Sequence, residues 1–176
     1  MKNLFSIDLE EWYHYEYLMG AAPKQKKLLS LCVPPLLDLF RKRDVHVTFF
    51  TLATEAQSQP EILDLIKSAG HEIASHGYDH TKLTEMTPTQ FEEDLKKSKT
   101  ILKKTAKIKP LGYRAPYFSL TKHQPWAFKI LKKQGFAYDS SLFPTKTLGF
   151  SPTTFSNSSF QLCKFANELL LVRSKV

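Results

Sequence analysis

The chain has 176 residues, 42% hydrophobic and 24% charged, which suits one domain with its own core and excludes wholesale disorder. Its net charge of +8 comes mainly from lysines between Lys96 and Lys109 and at Lys122, Lys129, Lys132 and Lys133; with no arginine-rich or aromatic-interleaved motif beside them, they read as solvated helix faces and not as a specific nucleic-acid surface. Two cysteines, Cys32 and Cys163, are too few for a disulfide framework, the start MKNLFSIDLEEW reaches an aspartate before a signal-peptide apolar region forms, and no apolar run is long enough to span a bilayer, so a cytoplasmic protein without a transmembrane segment is expected.

Taken in order, residues 3–8 read as a strand and residues 26–42 as a helix that Pro34 and Pro35 should break or kink. The apolar run VHVTFFTL predicts a strand over 45–52, and a helix over 60–69 follows, stopped by Gly70. A strand over 72–76 comes next. Thr87, Pro88 and Gln90 then form a helix start, with Thr87 as N-cap, Pro88 at the first helical position and Gln90 placed to complete a capping box. Phe91, Leu95, Ser98 and Leu102 recur at helical spacing behind it and mark the buried stripe. A short strand over 111–114, a helix over 122–134 ended by Gly135, and a strand over 136–139 complete the regular part. After Leu142 the pattern fades into a Pro, Ser and Thr-rich loop, and only 168–172 reads as a further strand.

Strands alternating with helices predict parallel pairing, either in an open doubly wound sheet or in a (β/α) barrel. Sites in such folds lie beyond the C-terminal strand ends, and Asp8, His76, Arg114 and Asp139 each fall at such an end on a different strand. The segment HEIASHGYDH, residues 71–80, presents His76 where the alternation stops and Gly77 turns the chain, so His76 and His80 can converge. Two imidazoles at a strand end, with carboxylates elsewhere in the chain, suit a divalent metal site that keeps an open position. The other histidines carry structural readings: His46 as a core or edge residue of its strand, His71 and His123 as surface residues. Glu11 alternates away from Glu10 and is expected to be structural. Trp12, Tyr13, Tyr15 and Tyr17 suit either packing or a stacking surface for a sugar.

With IDLEEW at the start, the His76 and His80 pair, RAPY at 114–117 and YDSS at 138–141, the chain resembles the polysaccharide deacetylases of the NodB-homology type, carbohydrate esterase family four. The matches run in the family's order from about residue 4 to 144. The resemblance implies a distorted (β/α) barrel, here incomplete, and removal of an N-acetyl or related acyl group with the help of a metal, zinc being the expected ion. It implies Glu10, His76 and His80 as metal ligands and Asp8 as general base, with the opposite assignment of the two carboxylates open. An i, i+2 pair projects from one face of a strand, so Asp8 and Glu10 can both enter the mouth while Leu9 packs behind. In the family the RAPY arginine, here Arg114, orients the catalytic carboxylate, the tyrosine, here Tyr117, turns its main-chain N–H into the site, and Asp139 would pair with Arg114 and buttress it.

The expected chemistry is attack of an activated water on an amide carbonyl, with Asp8 taking a proton, the metal acting as Lewis acid, and the metal and the Tyr117 N–H stabilising the oxyanion. The substrate implied is an N-acetylated glycan or amino sugar; a small cyclic amide, or an inactive metal- or carbohydrate-binding role, are the alternatives. Family members protonate the leaving amine with a histidine near the C-terminal end of the barrel, whereas no histidine follows His123. His14, close to the carboxylates, is the candidate substitute. The strands number fewer than in the family barrel, so the 1–176 chain reads as a single domain lacking the barrel's C-terminal part. Its open sheet edge would be covered by the C-terminal segment, a partner or self-association.

Overall fold

The computed structural model describes residues 4–14, 26–121 and 123–142 in full and the backbone of 161–166 and 168–173. Five strands, β1 (Phe5–Leu9), β2 (Val47–Thr51), β3 (Glu72–Ser75), β4 (Gly112–Tyr113) and β5 (Tyr138–Asp139), pair in parallel, each with the next. They alternate with the helices α1 (Leu29–Lys42), α2 (Ala53–Ser58), α3 (Pro60–Ser68), α4 (Pro88–Thr105) and α5 (Trp126–Lys133). An antiparallel hairpin, β6 (Gln161–Ala166) and β7 (Glu168–Arg173), extends the sheet from β5.

Strand order follows chain order from β1 to β7. A doubly wound sheet would reverse direction at a switch point, so the winding is that of a (β/α) barrel. The arc stays open among the described residues, because β1 and β7 stand at opposite ends of the sheet. At the β1 edge Leu4 is 72% and Phe5 58% exposed, the unpaired boundary expected of an incomplete barrel. None of the described helices is long and apolar enough to cross a membrane.

Two apolar clusters fill the interior. Leu9, Phe49, Ile62, Ile66 and Ile73 pack with Val33 and Leu37 of α1, and Leu83, Tyr113, Leu131 and Phe136 form the second group. Helix α4 serves both, placing Leu102 in the first and Phe91 and Leu95 in the second. Its predicted stripe of Phe91, Leu95, Ser98 and Leu102 is buried as the spacing requires. The predicted capping box is formed: the Gln90 N–H donates to Thr87 Oγ1 at 3.3 Å and the Thr87 N–H to Gln90 Oε1 at 2.8 Å. Thr87→Ala should therefore destabilise the protein by about 1 kcal/mol, seen as a lower urea midpoint with an unchanged slope.

Several local expectations are corrected. Helix α1 runs through Pro34 and Pro35 and buries Val33 and Leu37. Both prolines, and Ser30 and Leu31 whose carbonyls lose their partners, are exposed, so the two lost backbone bonds fall on the outer side of the helix, where they cost least, while the packed stripe holds it. Helix α2 was not foreseen; its six residues are too few to carry a helical period, and it buries Ala53, Glu55 and Ala56. His71 is buried, 9% exposed, and not at the surface. Its Nδ1 accepts from the Val47 N–H at 3.3 Å, and its ring packs against Phe40 and Phe49 with centroids 5.6 Å away. His46 is exposed and precedes β2, which begins two residues later than predicted. His123 is exposed as expected, and Lys122, Tyr15 and Tyr17 lie outside the described residues.

Candidate metal centre and active site

The parallel strands end together and bring Asp8, Glu10, His76, His80 and Arg114 to one mouth. Asp8 lies within β1 and Glu10 just beyond it, on the face opposite Leu9, which is buried at 2% exposure. Across the sheet, Asp8 is in register with Phe50 and Phe50 with Ala74, two residues before His76. Residues 76–80 curl back because Gly77 and His80 take left-handed backbone angles, φ 84 and φ 69.

His76 is 1% exposed, and its Nδ1 lies 2.8 Å from the Arg114 carbonyl oxygen. A carbonyl can only accept, so the proton sits on Nδ1 and the lone pair of Nε2 faces the carboxylates, with Asp8 Oδ2 at 4.0 Å. Burial lowers the His76 pKa against the pull of Asp8 and Glu10, which favours the neutral ring that a metal requires. His80 Nε2 approaches Glu10 Oε2 to 2.7 Å. Burial works to raise the Glu10 pKa, but the imidazoles of His80, His76 and His14 outweigh it and hold it below the ordinary value.

One ligand atom each from Glu10, His76 and His80 lie within 4.8 Å of one another. Apart from the 2.7 Å approach of His80 Nε2, which does not meet hydrogen-bond geometry, Glu10 Oε2 is buried without a partner among the described residues, as is His80 Nδ1, although such groups are costly to leave unsatisfied. Two imidazoles and a carboxylate converging with unsatisfied atoms fit a divalent cation held by nitrogen and oxygen ligands, with coordination positions left over. Asp8 stands beside this trio and is gripped from the other side. Arg114 Nη1 donates to Asp8 Oδ1 at 2.7 Å, and Nη2 donates to Ser6 Oγ and Ser140 Oγ, each at 2.8 Å. Its Nε donates to the Ser140 carbonyl at 3.2 Å, and its guanidinium lies 4.0 Å from the Phe50 ring centroid.

The sequence profile described as polysaccharide deacetylase matches residues 26–138. The chain belongs to the polysaccharide deacetylase family. It is 36% identical over 110 residues to a peptidoglycan deacetylase of Helicobacter pylori, covering 62% of this chain and 36% of that protein. It is 32% identical over 95 residues to a peptidoglycan-N-acetylglucosamine deacetylase of Bacillus cereus, covering 53% and 34%. A crystal structure from Mycobacterium smegmatis, assigned as a polysaccharide deacetylase, superposes with a TM-score of 0.59 at 38% identity, over 63% of this chain and 38% of that one. The chain thus spans about a third of the length of the curated relatives it matches, at 36% and 34%.

In this deacetylase-family site, one expected contact is corrected. Asp139 does not pair with Arg114; it accepts from the Ser141 N–H at 3.0 Å and from Ser141 Oγ at 2.6 Å. Ser141 Oγ in turn accepts from the Ala115 N–H at 2.7 Å. Register explains the difference, because Asp139 lies opposite Tyr113 and the next residue, Ser140, meets Arg114. Asp139 buttresses the RAPY segment through its backbone and not through the guanidinium.

Asp139 is fully buried, and burial raises its carboxyl pKa from 3.8 to about 6 against the two Ser141 bonds and the Arg114 charge. For an acid raised in this way the folded state holds the proton more tightly, so this group's contribution to stability falls as pH rises from about 4 through about 6. The full loss is on the order of 3 kcal/mol, the two pH units being worth about 1.4 kcal/mol each. Asp139→Asn should remove that slope while adding only a pH-independent offset, and urea unfolding across this range would read it. Parallel stability profiles for the two proteins would rule the effect out.

Tyr117 adopts left-handed angles, φ 55 and ψ 20, after Pro116. Its ring lies against that of His80, centroids 4.4 Å apart, and its hydroxyl donates to the His14 carbonyl at 2.8 Å. Its side chain, for which the sequence carries no signal, ties the RAPY turn to both the His76–His80 loop and the aromatic segment after β1. His14 Nε2 is 3.7 Å from Glu55 Oε1, and its ring is 5.8 Å from that of His80. Glu11 is structural as expected: buried, it accepts from the Leu28 and Leu29 N–H groups and from Gln59 Nε2, fixing the entry to α1. Trp12 Nε1 donates to the Lys26 carbonyl at 3.0 Å and stacks edge-on to Tyr13. The contributions of Ser6, Ser140 and Ser141 had no signal beyond a serine near each strand end.

Proposed function

We propose that this chain forms the metal-binding part of a hydrolase that removes an N-acyl group, N-acetyl above all, from an amino sugar of a polysaccharide, with zinc as the bound ion. The observation that carries the reading is the convergence of Glu10, His76 and His80 within 4.8 Å beside a carboxylate, Asp8, held by Arg114. The names of the relatives, which specify peptidoglycan and its N-acetylglucosamine, support an N-acetylated glycan as substrate.

An ion held by Glu10, His76 and His80 would supply Lewis-acid polarisation and would lower the pKa of a water at the site. Asp8 serves as general base: Arg114 occupies Oδ1, leaving Oδ2 to take the proton of the attacking water. The Tyr117 main-chain N–H is assigned to the oxygen on which charge develops. Return of a proton to the leaving amine is assigned to His14, whose Nε2 lies 3.7 Å from Glu55 Oε1 and whose ring lies 5.8 Å from that of His80.

The test begins with the chain purified without a histidine tag, its metal content measured, and the same done for His76→Ala. The expected result is close to stoichiometric zinc in the first and loss of it in the second, because one of three protein ligands is gone. Acetate release from N-acetylglucosamine oligomers should follow the zinc. Absence of metal from both proteins after incubation with zinc would overturn the reading, and zinc without acetate release from any N-acetylated glycan would leave a binding module in its place.

A further inference from the structure

The loop that carries His76 and His80 is held from outside by two helices. The N-terminus of α2 donates twice, from the Ala53 N–H to the Gly77 carbonyl at 3.1 Å and from the Thr54 N–H to the Tyr78 carbonyl at 3.0 Å. Helix α4 supplies the rest from residues spaced i, i+3 and i+4, which share one face. Asp94 Oδ1 accepts from the Tyr78 N–H at 3.1 Å, and Lys97 Nζ lies 3.3 Å from the Tyr78 ring centroid. Ser98 Oγ shares a hydrogen bond of 2.8 Å with Ser75 Oγ, both residues fully buried, and Ser75 Oγ also accepts from the Gly77 N–H.

Each side of His76 is thereby attached to α4: Ser75 before it through Ser98, and the Gly77–Tyr78 peptide after it through Asp94. The fit is close. A Cβ added at Gly77 would lie 3.3 Å from Asp94 Oδ2, at a φ of +84 that side chains rarely adopt. His80 follows Tyr78 by two residues, so the direction of the peptide held by Asp94 sets where His80 meets Glu10.

We propose that Asp94 is a positioning residue of the metal centre, its carboxylate fixing the Gly77–Tyr78 peptide and through it the separation of His76 and His80. This rests on the metal reading given above. Partners that orient metal ligands are worth roughly 10- to 100-fold in metal affinity when removed. The attachment would act on the backbone between the ligands and not on an imidazole, and a hydrogen-bond acceptor at this position is what it requires.

The experiment is zinc affinity of the full chain, by competition with a chromophoric chelator, in buffer above the Asp94 pKa, which burial raises to about 6. Wild type, Asp94→Ala, Asp94→Asn and Thr87→Ala are compared, each with its thermal midpoint. Asp94→Ala is expected to bind zinc about 10- to 100-fold more weakly. Asp94→Asn, which keeps an acceptor for the Tyr78 N–H, should stay close to wild type. Thr87→Ala, destabilised in the same helix but remote from the loop, should bind as wild type does, which separates positioning from general loss of stability. Wild-type affinity in Asp94→Ala, or an equal loss in Asp94→Asn, would overturn the role of Asp94 while leaving the metal reading standing. No zinc uptake by the wild type would overturn both. Should the alanine variant not fold, Asp94→Ser, too short to reach the Tyr78 N–H, takes its place with the same outcomes.

Discussion

Arg114→Ala is expected to lower stability by about 3 kcal/mol, the lower end of the range for breaking a buried ion pair by removing one partner. Arg114 is 4% exposed, and its donors are spent on Asp8, Ser6 and both oxygens of Ser140. Alanine leaves the Asp8 carboxylate without its cation and vacates the space over the Phe50 ring. Asp8 retains 26% side-chain exposure, so water relieves part of the penalty. Arg114→Lys should recover only a fraction, because a point charge reaches Asp8 but cannot bridge Ser6 and Ser140 at once. Urea unfolding at neutral pH reads both variants, and a loss under about 1 kcal/mol for alanine would mean that the guanidinium is not what holds these strand ends.

Asp8→Asn should reduce acetate release by roughly 100- to 10,000-fold, the span of general acid–base contributions, while bound zinc stays at the wild-type level. Its carboxylate lies outside the set of three ligand atoms, and an amide oxygen can still accept from Arg114 at the Oδ1 position. The substitution therefore removes the basic oxygen without dismantling the site. Glu10→Gln is the complementary experiment, expected to weaken metal binding first. If Asp8→Asn stripped the metal and Glu10→Gln kept it, the two carboxylates would have exchanged roles. Turnover untouched by Asp8→Asn would remove it from the reaction altogether.

Local pattern carried much of the fold. The i, i+2 spacing of Asp8 and Glu10, the capping box at Thr87 and Gln90, the stripe from Phe91 to Leu102, and Glu11 pointing away from Glu10 are all consequences of periods of two or 3.6 residues. They are therefore readable wherever an element is long enough to show its period. Where an element was too short, the reading blurred: β4 and β5 have two residues each and α2 has six, so their bounds or their existence came only with the fold. The hairpin partner β6 lay in sequence without a clear period, and of the pair only β7 was foreseen.

The sequence alone determined which residues reach the mouth, because the C-terminal end of a parallel strand is set by alternation and by the turn that stops it. It thereby placed Asp8, Glu10, His76, His80, Arg114 and Asp139 at strand ends or in the turns after them, while Tyr117 and the role expected of each residue came with the family resemblance. Only the tertiary structure decided who touches whom. Arg114 meets Asp8 across 106 residues and Ser6 across 108, Asp139 turns to Ser141, His71 is drawn inside by the Val47 N–H, and Asp94 reaches the loop between the histidines. Hydrogen-bond partners at such separations follow from strand register and side-chain reach, and a one-residue step in register exchanges Asp139 for Ser140 opposite Arg114.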